Sequence, residues 1–303
     1  MKLAVVGGYG VGMTMRVPSF PRPGETVSGG NYAEGPGGKG SNQAIGASRL
    51  GADVSLLTAV GDDRRATRAR ELWDREGVGH SHVARTDSPT MVGFILVDDE
   101  GENEIALAPG ALHDLDESHV ESFRGAIRDA DILLVSMEVS LNAVSAALRI
   151  AKEEGTTSVL NPAPAIPLPD EMWALVDVLT PNQSEAAQIL GLQAANDRPV
   201  SEIVDQLRER TDAAVVMTLG RSGCAVLDGS GFRTIDPFSP ERVADTTGAG
   251  DAFNAALAVA IGAGEPLDDA ALFANAAGAY AVTKHGVIDA LPTRQHIDRV
   301  MGR

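Results

Sequence analysis

The chain has 303 residues, with 42 acidic and 25 basic side chains and a formal net charge of −17 at pH 7. A surface this acidic repels phosphate backbones and anionic lipids, so we expect no nucleic-acid partner and no membrane-surface partner. Cys224 is the single cysteine, which excludes an intrachain disulfide, and no apolar run reaches the roughly 20 residues of a membrane span. We therefore expect a cytoplasmic protein.

The charged residues are unusual in kind as well as in number. Lysine accounts for four of the 25 basic residues, and aromatic residues make up 4% of the chain. Abundant carboxylates with few lysines are typical of proteins that work in concentrated salt, where the repulsion between carboxylates is screened. This composition indicates a halophilic protein, and the alternative is an ordinary acidic enzyme from a GC-rich genome.

Short apolar runs, typical of strands covered on both faces, alternate along the chain with stretches typical of helices. The expected strands are Lys2–Gly7, Val54–Val60, Asp131–Ser136, Thr157–Leu160, Asp177–Thr180, Ala213–Thr218 and Cys224–Leu227. The expected helices are Ser41–Leu50, Arg64–Glu76, Glu117–Ala130, Asn142–Glu154, Gln183–Leu190 and Val200–Arg210. The alternation predicts a single α/β domain over residues 1–303, with three layers and a mostly parallel sheet between helices.

Two segments interrupt this alternation. Residues Glu25–Tyr32 have an extended, polar pattern, and Thr90–Val97 with Glu104–Ala108 form an expected hairpin that turns at Gly101. We expect a small β-sheet from about residues 13–35 and 88–110, which covers a substrate cleft as a lid. The alternative is an edge hairpin without a functional role.

Two glycine-rich segments near the N-terminus resemble nucleotide loops without matching them. Val5–Gly12 has Met13 where a dinucleotide-binding loop needs its third glycine, and Gly35–Gln43 lacks the spacing of a Walker A loop. The second segment places Lys39 and Asn42 at the start of an expected helix, where both can donate hydrogen bonds to hydroxyl or phosphate oxygens. We interpret it as a polyol-binding segment, and a flexible turn with a solvated lysine is the alternative.

The strongest chemical signal is a run of small residues that ends on an acid. Gly248, Ala249 and Gly250 allow backbone N–H groups to converge at a helix start, which binds anions. Asp251 follows and can accept a hydroxyl proton while these amides hold a phosphoryl group. An aspartate that merely caps the helix, worth about 1 kcal/mol, needs neither the Gly-Ala-Gly run nor Asp245. The pattern predicts phosphoryl transfer.

Two further loops follow expected strands. Residues 218–223 form a small-residue turn that suits nucleotide phosphates. Asn182 and Glu185 lie one helical turn apart and can organise hydrated Mg²⁺ near phosphates. The carboxyl ends of parallel strands share one edge of a sheet, so we expect both loops in one site. His80 and His82 have no third ligand at a metal-binding spacing, and we interpret them as surface residues.

Taken together, these segments resemble the ribokinase family of carbohydrate kinases, also called PfkB, over nearly the whole chain. The motifs that carry the resemblance are Pro23–Thr26, Gly37–Ala44, Glu138, Asn161–Pro164, Thr180–Asn182 with Glu185, Thr218–Gly223 and Asp245–Asp251. The resemblance implies a central sheet flanked by helices, with a β-lid that mediates homodimerisation. It also implies transfer of the γ-phosphate of ATP to a sugar or a related polyol.

The same resemblance implies a role for each matching residue. Asp251 is the implied catalytic base, and the amides of Gly248, Ala249 and Gly250 complete the implied anion hole. The implied substrate-binding residues are Gly10, Gly12, Gly38, Lys39, Gly40, Asn42, Glu138 and Asp251. The implied nucleotide-binding residues are Asn182, Glu185, Thr218, Gly220, Arg221, Gly223, Gly250 and Asn275. The implied ligands of an activating K⁺ ion are Asp245, Thr247, Ala281, Lys284 and Gly286.

The sequence departs from the family pattern at two places. Family members that phosphorylate ribose carry an Asn and an Asp that bind ribose hydroxyls, and Gly10 and Gly12 occupy the matching positions here. This loses a charge-assisted hydrogen bond worth about 1.5–3 kcal/mol, and it removes a charge that would repel an anionic substrate. Ala290 stands where these members have a serine that helps to bind K⁺.

The sequence therefore predicts an ATP-dependent sugar kinase that uses Mg²⁺, with D-ribose as the default acceptor. The first alternative keeps the kinase chemistry and changes the acceptor to a nucleoside or a sugar phosphate such as ribose 1-phosphate. Gly10 and Gly12 would leave room for it, and Arg16 would reach the phosphate. The second alternative is a non-catalytic sugar or nucleotide sensor, which the retained Asp251 argues against.

Overall fold

The computed structural model describes residues 1–192 and 199–303. Its strands are β1 (Lys2–Val6), β2 (Gly10–Arg16), β3 (Tyr32–Gly37), β4 (Asp53–Leu57), β5 (Ala59–Val60), β6 (Val78–Gly79), β7 (Ala84–Arg85), β8 (Met91–Val97), β9 (Asn103–Ala108), β10 (Ile132–Ser136), β11 (Thr157–Asn161), β12 (Val178–Leu179), β13 (Ala214–Thr218), β14 (Cys224–Asp228) and β15 (Gly231–Ile235). Its α-helices are α1 (Lys39–Arg49), α2 (Arg64–Glu76), α3 (Glu117–Ser122), α4 (Arg124–Arg128), α5 (Leu141–Glu154), α6 (Asp170–Trp173), α7 (Gln183–Ile189), α8 (Val200–Arg210), α9 (Ala249–Gly262), α10 (Leu267–Ala281) and α11 (Arg294–Val300).

The main sheet of the described residues has nine strands in the order β15-β14-β13-β12-β11-β10-β1-β4-β6. The strands from β13 to β6 run parallel, and β14 and β15 add an antiparallel hairpin at one edge. Strand β10 is buried at every position, as expected of a strand covered on both faces. Its carboxyl end meets the corresponding ends of β1, β11 and β12 at one edge of the sheet.

Two apolar cores lie on opposite faces of this sheet. One core packs the sheet against helices α1, α2, α9, α10 and α11. The other packs it against helices α3 to α8. The predicted three-layer α/β architecture is therefore confirmed. Helix α2 illustrates how local sequence sets the bounds, because the Asp63 side chain accepts from the N–H groups of Arg65 and Ala66, and Gly77 ends the helix at φ 71°.

A second sheet of four strands, in the order β3-β2-β8-β9, stands apart from the main one. It corresponds to the expected lid, and the hairpin between β8 and β9 turns at Gly101 with φ 86°, as predicted. The prediction for Glu25–Tyr32 was wrong, because residues 25–31 form no strand. The sheet instead uses Gly10–Arg16, whose strand begins close after β1 and carries the chain out of the main sheet.

Two other predicted elements differ from the structure. The expected helix Glu117–Ala130 divides into α3 and α4 at Phe123, whose side chain is fully buried and whose N–H donates to the carbonyl of Val120. The expected strand Val54–Val60 divides after Leu57, and β5 leaves the main sheet to pair with β7. In both cases tertiary packing bends a segment whose local pattern is continuous. No helix among the described residues is long and apolar enough to cross a membrane.

Candidate active site

Helix α9 begins where the Gly-Ala-Gly run predicted a helix start. Gly248 precedes it in the left-handed region at φ 81°, and a Cβ atom there would lie 2.9 Å from Cγ1 of Val287. Glycine is therefore required both by the backbone conformation and by the space. The turn places Ala249, Gly250 and Asp251 in the first turn of a helix of 14 residues, where backbone N–H groups and the helix dipole favour anions.

The Asp251 carboxylate points into the protein and is held by two amide side chains. Asn42 Nδ2 donates to Oδ2 at 2.8 Å, and Gln43 Nε2 donates to Oδ1 at 3.1 Å. Asp251 is 8% exposed. Burial raises the pKa of Asp251, while the charge of Lys39 and the two amide donors oppose that rise. The arrangement places a general-base candidate against the start of helix α1.

The glycines around Lys39 let two backbone segments touch. A Cβ at Gly40 would lie 2.5 Å from the carbonyl carbon of Gly7, and one at Gly38, where φ is 93°, would lie 2.6 Å from Cα of Tyr9. Helix α1 therefore starts directly against the loop that follows β1. The Lys39 N–H donates to Oε2 of Glu138 at 2.5 Å, which ties this start to the end of β10.

Charges of both signs meet at this point. Burial lowers the pKa of Lys39, but the carboxylates of Asp251, Glu138 and Glu185 outweigh it and the net shift is upward, so the ammonium group stays protonated. Burial raises the pKa of Glu138 to about 7, with a further rise from Asp251 and an opposing effect of Lys39. A cation among three carboxylates can neutralise a hydroxyl or phosphate oxygen that enters the site.

Gly10 and Gly12 both lie on lid strand β2 and differ in their surroundings. A Cβ at Gly10 would lie 2.3 Å from Cε of Met91, so the space beside this residue is filled. A Cβ at Gly12 would meet Ile95 Cδ1 at 3.4 Å, an ordinary contact. The expectation that both glycines leave room for a larger acceptor is therefore wrong for Gly10.

A cavity of about 380 Å³ opens beside the start of α9. Its lining includes seven of the eight residues expected to bind the nucleotide: Asn182, Thr218, Gly220, Arg221, Gly223, Gly250 and Asn275. Asn275 also donates to the carbonyl of Asp236 at 3.1 Å, which fixes the loop after β15 as one wall. The cavity thus brings together the ends of strands β12 and β13 and the first turn of α9.

The eighth residue, Glu185, is used differently from the expectation. Its Oε2 accepts from the Asn182 N–H at 2.8 Å, and Asn182 Oδ1 accepts from the Glu185 N–H at 2.8 Å, which forms a capping box at the start of α7. Burial raises the pKa of Glu185, and the Lys39 charge opposes the rise. Both side chains thus set the start of a helix while Glu185 stays in electrostatic reach of Lys39 and Asp251.

The sequence patterns missed the apolar wall of the cavity and part of its polar support. The cavity is lined by Pro237, Phe238, Val243, Phe253 and Val282, and no role was predicted for any of these apolar side chains. Gln43 and Asn161 belong to the family motifs Gly37–Ala44 and Asn161–Pro164, yet no role was predicted for either side chain. Their side chains meet at 3.0 Å beside Asp251.

The segments expected to bind K⁺ do lie side by side. Asp245 accepts from the N–H groups of Thr247 at 2.9 Å and Gly286 at 3.2 Å, and the Asp245 N–H donates to the carbonyl of Val282. Burial raises the pKa of Asp245, but these hydrogen bonds and His285 outweigh it, and the net shift is downward. Ala281 and Lys284 belong to the same turn, in which the Lys284 N–H donates to the Ala281 carbonyl.

The two histidines expected at the surface differ in exposure, because His80 is half-buried and His82 is exposed. His80 pairs with Asp74 at 2.9 Å and packs its ring near Trp73, while His82 is exposed and lies edge-on to Phe123. Over residues 1–192 and 199–303, no group of three or more His, Cys, Asp or Glu side chains is arranged to hold a metal ion.

Comparison with known proteins places this geometry in a family. A model described as pfkB family carbohydrate kinase matches residues 2–294. The ribokinase of Haemophilus influenzae is 38% identical over 295 residues, which are 97% of this chain and 96% of that protein. The structure of Arabidopsis thaliana ribokinase complexed with ribose and ATP is 26% identical, with a TM-score of 0.90 over 100% of this chain and 99% of that chain. A Methanocaldococcus jannaschii nucleoside kinase, 20% identical with a TM-score of 0.82 over 100% of this chain and 98% of that one, shares the fold. The chain belongs to the pfkB family of carbohydrate kinases.

Proposed function

We propose that this protein transfers the γ-phosphate of ATP to the 5-hydroxyl of D-ribose. The observation that carries the proposal is the position of Asp251, buried between the polar start of helix α1 and the nucleotide-sized cavity at the start of α9. The full-length similarity to the Haemophilus influenzae ribokinase supports ribose as the acceptor.

In the proposed reaction the acceptor hydroxyl lies against Asp251, which takes its proton as the oxygen attacks phosphorus. The first-turn amides of α9 hold the transferring group, and the Lys39 ammonium offsets the negative charge that gathers there. The lid sheet excludes water from the cleft. Mg²⁺ would supply charge neutralisation at the ATP phosphates. Of the two residues expected to hold its hydration shell, Asn182 lines the cavity and Glu185 does not.

A second acceptor class, nucleosides, is favoured by one observation. Gly12 presents no side chain to the cleft, and a Cβ there would meet only ordinary contacts. A coupled assay with ATP and D-ribose, ribose 1-phosphate, fructose, 2-keto-3-deoxygluconate and nucleosides separates the candidates. We expect the highest kcat/KM with D-ribose. Turnover of a nucleoside or a sugar phosphate far above that of ribose would contradict the acceptor assignment while keeping the kinase.

We infer that K⁺ activates the enzyme through the loops around Asp245 and Gly286. Backbone carbonyls suit K⁺, and the Asp245 hydrogen bonds hold the two loops in contact. These loops adjoin the Gly248 turn, so an ion there would stiffen the anion hole. Replacing Na⁺ by K⁺ at constant ionic strength should raise kcat, and equal rates in the two salts would contradict the inference.

We propose that the protein uses ATP in the cytoplasm. We also propose that its lid forms a homodimer interface. Four large apolar side chains of the lid are 56–59% exposed: Tyr32, Phe94, Ile105 and Leu107. The strand registers place Tyr32 and Phe94 on one face of the lid sheet and Ile105 and Leu107 on the other. Exposed apolar side chains of this kind are typical of an interface, and a two-fold pair of lids would cover one of these two faces. Sedimentation should give a dimer that Phe94→Glu with Ile105→Glu dissociates. A monomeric native protein would contradict the proposal.

A further inference from the structure

Gln43 sits behind the catalytic carboxylate and contacts it from the interior of the protein. Its Nε2 donates both to Oδ1 of Asp251 at 3.1 Å and to Oδ1 of Asn161 at 3.0 Å. Asn161 Nδ2 in turn donates to the carbonyl of Thr180 at 3.2 Å. Gln43 is fully buried, and Asn161 and Thr180 are almost fully buried. The base is thereby linked to the ends of strands β11 and β12.

A second set of contacts returns from Thr180 to the base. The Thr180 hydroxyl donates to Oδ1 of Asn254, and Asn254 Nδ2 donates to the carbonyl of Gly250 at 2.9 Å. Gly250 directly precedes Asp251 in the chain. The hydrogen bonds therefore close a ring that fixes both the side chain and the backbone of the base against one point, the Thr180 end of β12.

The two amides that touch Asp251 are not equivalent. Asn42 bonds Oδ2, and it lies one turn after Lys39 on the side where the acceptor is proposed to bind. Gln43 bonds the other oxygen and has no exposed surface, so it acts on the reaction only through Asp251. An acceptor hydroxyl can compete with Asn42 for the carboxylate, whereas it cannot reach the bond from Gln43.

The orientation of both amides points to an ionised carboxylate. Gln43 Oε1 and Asn42 Oδ1 are buried without a hydrogen-bond partner, because each amide turns its NH₂ group toward Asp251. The opposite orientation would place amide oxygens against carboxylate oxygens. Leaving a buried oxygen unpaired costs free energy, and a donor bond to a charged oxygen is strong enough to offset part of that cost.

We propose that Gln43 is a positioning residue that holds the Asp251 carboxylate, with Oδ2 turned toward the acceptor, in the ionised form that is ready to take the hydroxyl proton. The inference rests on the proposed function, because it assigns Gln43 to the base of that reaction. It goes beyond a packing role, which any buried side chain of similar volume would fill.

Two substitutions separate these roles. Gln43→Met keeps the volume and removes the donor, and Gln43→Glu replaces the donor by an acceptor that faces Asp251. We expect kcat to fall roughly tenfold to a hundredfold, with little change in KM for ATP. The acid limb of the kcat profile should move to higher pH, and further in Gln43→Glu than in Gln43→Met, since a neighbouring carboxylate opposes ionisation. As a control, Thr156→Val removes a buried hydrogen bond to Ile127 far from the site and should leave the limb in place.

A shift of the acid limb must be assigned to one titrating group, because Lys39, Glu138 and Glu185 also face Asp251. A ¹³C NMR titration of aspartate-labelled protein, with Asp251→Asn to identify the resonance, follows this carboxyl group directly. We expect its titration to move to higher pH in Gln43→Met and to stay unchanged in Thr156→Val. An unshifted titration with unchanged kcat in folded Gln43→Met would overturn the proposal. The NMR titration needs no turnover. An enzyme that is inactive on every acceptor would contradict the proposed function, and the titration would still decide the role of Gln43.

Discussion

At the level of single residues, the site depends on opposite charges that share a small buried space. Burial alone would favour neutral forms of Asp251 and Lys39, and each group instead favours the charged form of the other. The amides of Asn42 and Gln43 add donors to the carboxylate without adding charge. The result is a general-base candidate whose pKa lies above its ordinary value and that lies next to a protonated lysine.

Glu138 gives a prediction about pH and stability. Burial raises its pKa to about 7 from an ordinary value of 4.5, so the folded protein binds this proton more tightly than the unfolded chain. Its contribution to stability is complete below the ordinary pKa and is lost as the pH rises through about 7. Glu138→Gln, which mimics the protonated form, should therefore be more stable than the wild type above that pH, by up to about 3 kcal/mol.

Chemical denaturation of both proteins between about pH 5 and pH 8.5 measures this effect. The stability difference should shrink toward the acid end, where the wild-type carboxyl group is already protonated. A variant that is less stable than the wild type at every pH would show that Glu138 is held ionised, contrary to the direction derived from its burial.

At the level of secondary-structure elements, the contact between helix α1 and the loop after β1 positions the side of the site where we propose that the acceptor binds. Gly7 and Gly40 approach each other so closely that neither tolerates a Cβ atom without a backbone shift. The first turn of α1 carries Lys39 and Asn42, so its position decides where these two side chains point. A shift of this helix would affect acceptor binding before it affects the nucleotide cavity, which lies at α9 and α10.

Gly40→Ala tests this contact. The new Cβ would lie 2.5 Å from the carbonyl carbon of Gly7, so helix α1 must move outward. This movement should lower the free energy of unfolding by about 1–3 kcal/mol. We expect KM for the sugar to rise several-fold more than KM for ATP. The matched control is Gly125→Ala in helix α4, where nothing lies within 4 Å of the added Cβ. A Gly40→Ala enzyme with native KM values would show that the approach is not needed.

The elements differ in how far the sequence predicts them. Helices α2 and α8 have the predicted bounds, because a capping residue or a preceding proline marks the start of each one. Strand β2 was not predicted, although Val11, Met13 and Met15 alternate with small or polar residues, because the two glycines in Gly10–Arg16 weaken the strand pattern. Its pairing with β3 and β8 holds it in the second sheet, and the sequence does not show which strands it pairs with.

At the level of the whole molecule, the sequence predicted the site better than it predicted the lid. Residues at the carboxyl ends of parallel strands converge by topology, so seven nucleotide-binding candidates line one cavity. The hydrogen-bond ring behind Asp251 joins four separate segments of the chain, which contribute Gln43, Asn161, Thr180 and Asn254. The spacing of these residues in the sequence does not predict that they meet. The filled space at Gly10 depends on the Met91 side chain of a distant strand, which sequence spacing cannot supply.

The net charge of −17 gives a prediction for the molecule as a whole. Repulsion among surface carboxylates destabilises the compact state in dilute buffer, and salt screens it. Thermal stability should therefore rise as KCl or NaCl increases toward molar levels, and activity should rise with stability. Melting curves across a salt series measure the first effect. Full stability in dilute buffer would contradict a halophilic protein and favour an ordinary acidic enzyme.

The identity of Asp251 as the general base is tested most directly by the steady-state and single-turnover rates of Asp251→Asn. Asparagine keeps the size of the side chain and cannot take up the hydroxyl proton, so kcat should fall by at least about a hundredfold. ATP affinity, measured by calorimetry, and the melting temperature should stay near the wild-type values. An Asp251→Asn enzyme that phosphorylates its acceptor at the wild-type rate would contradict the account.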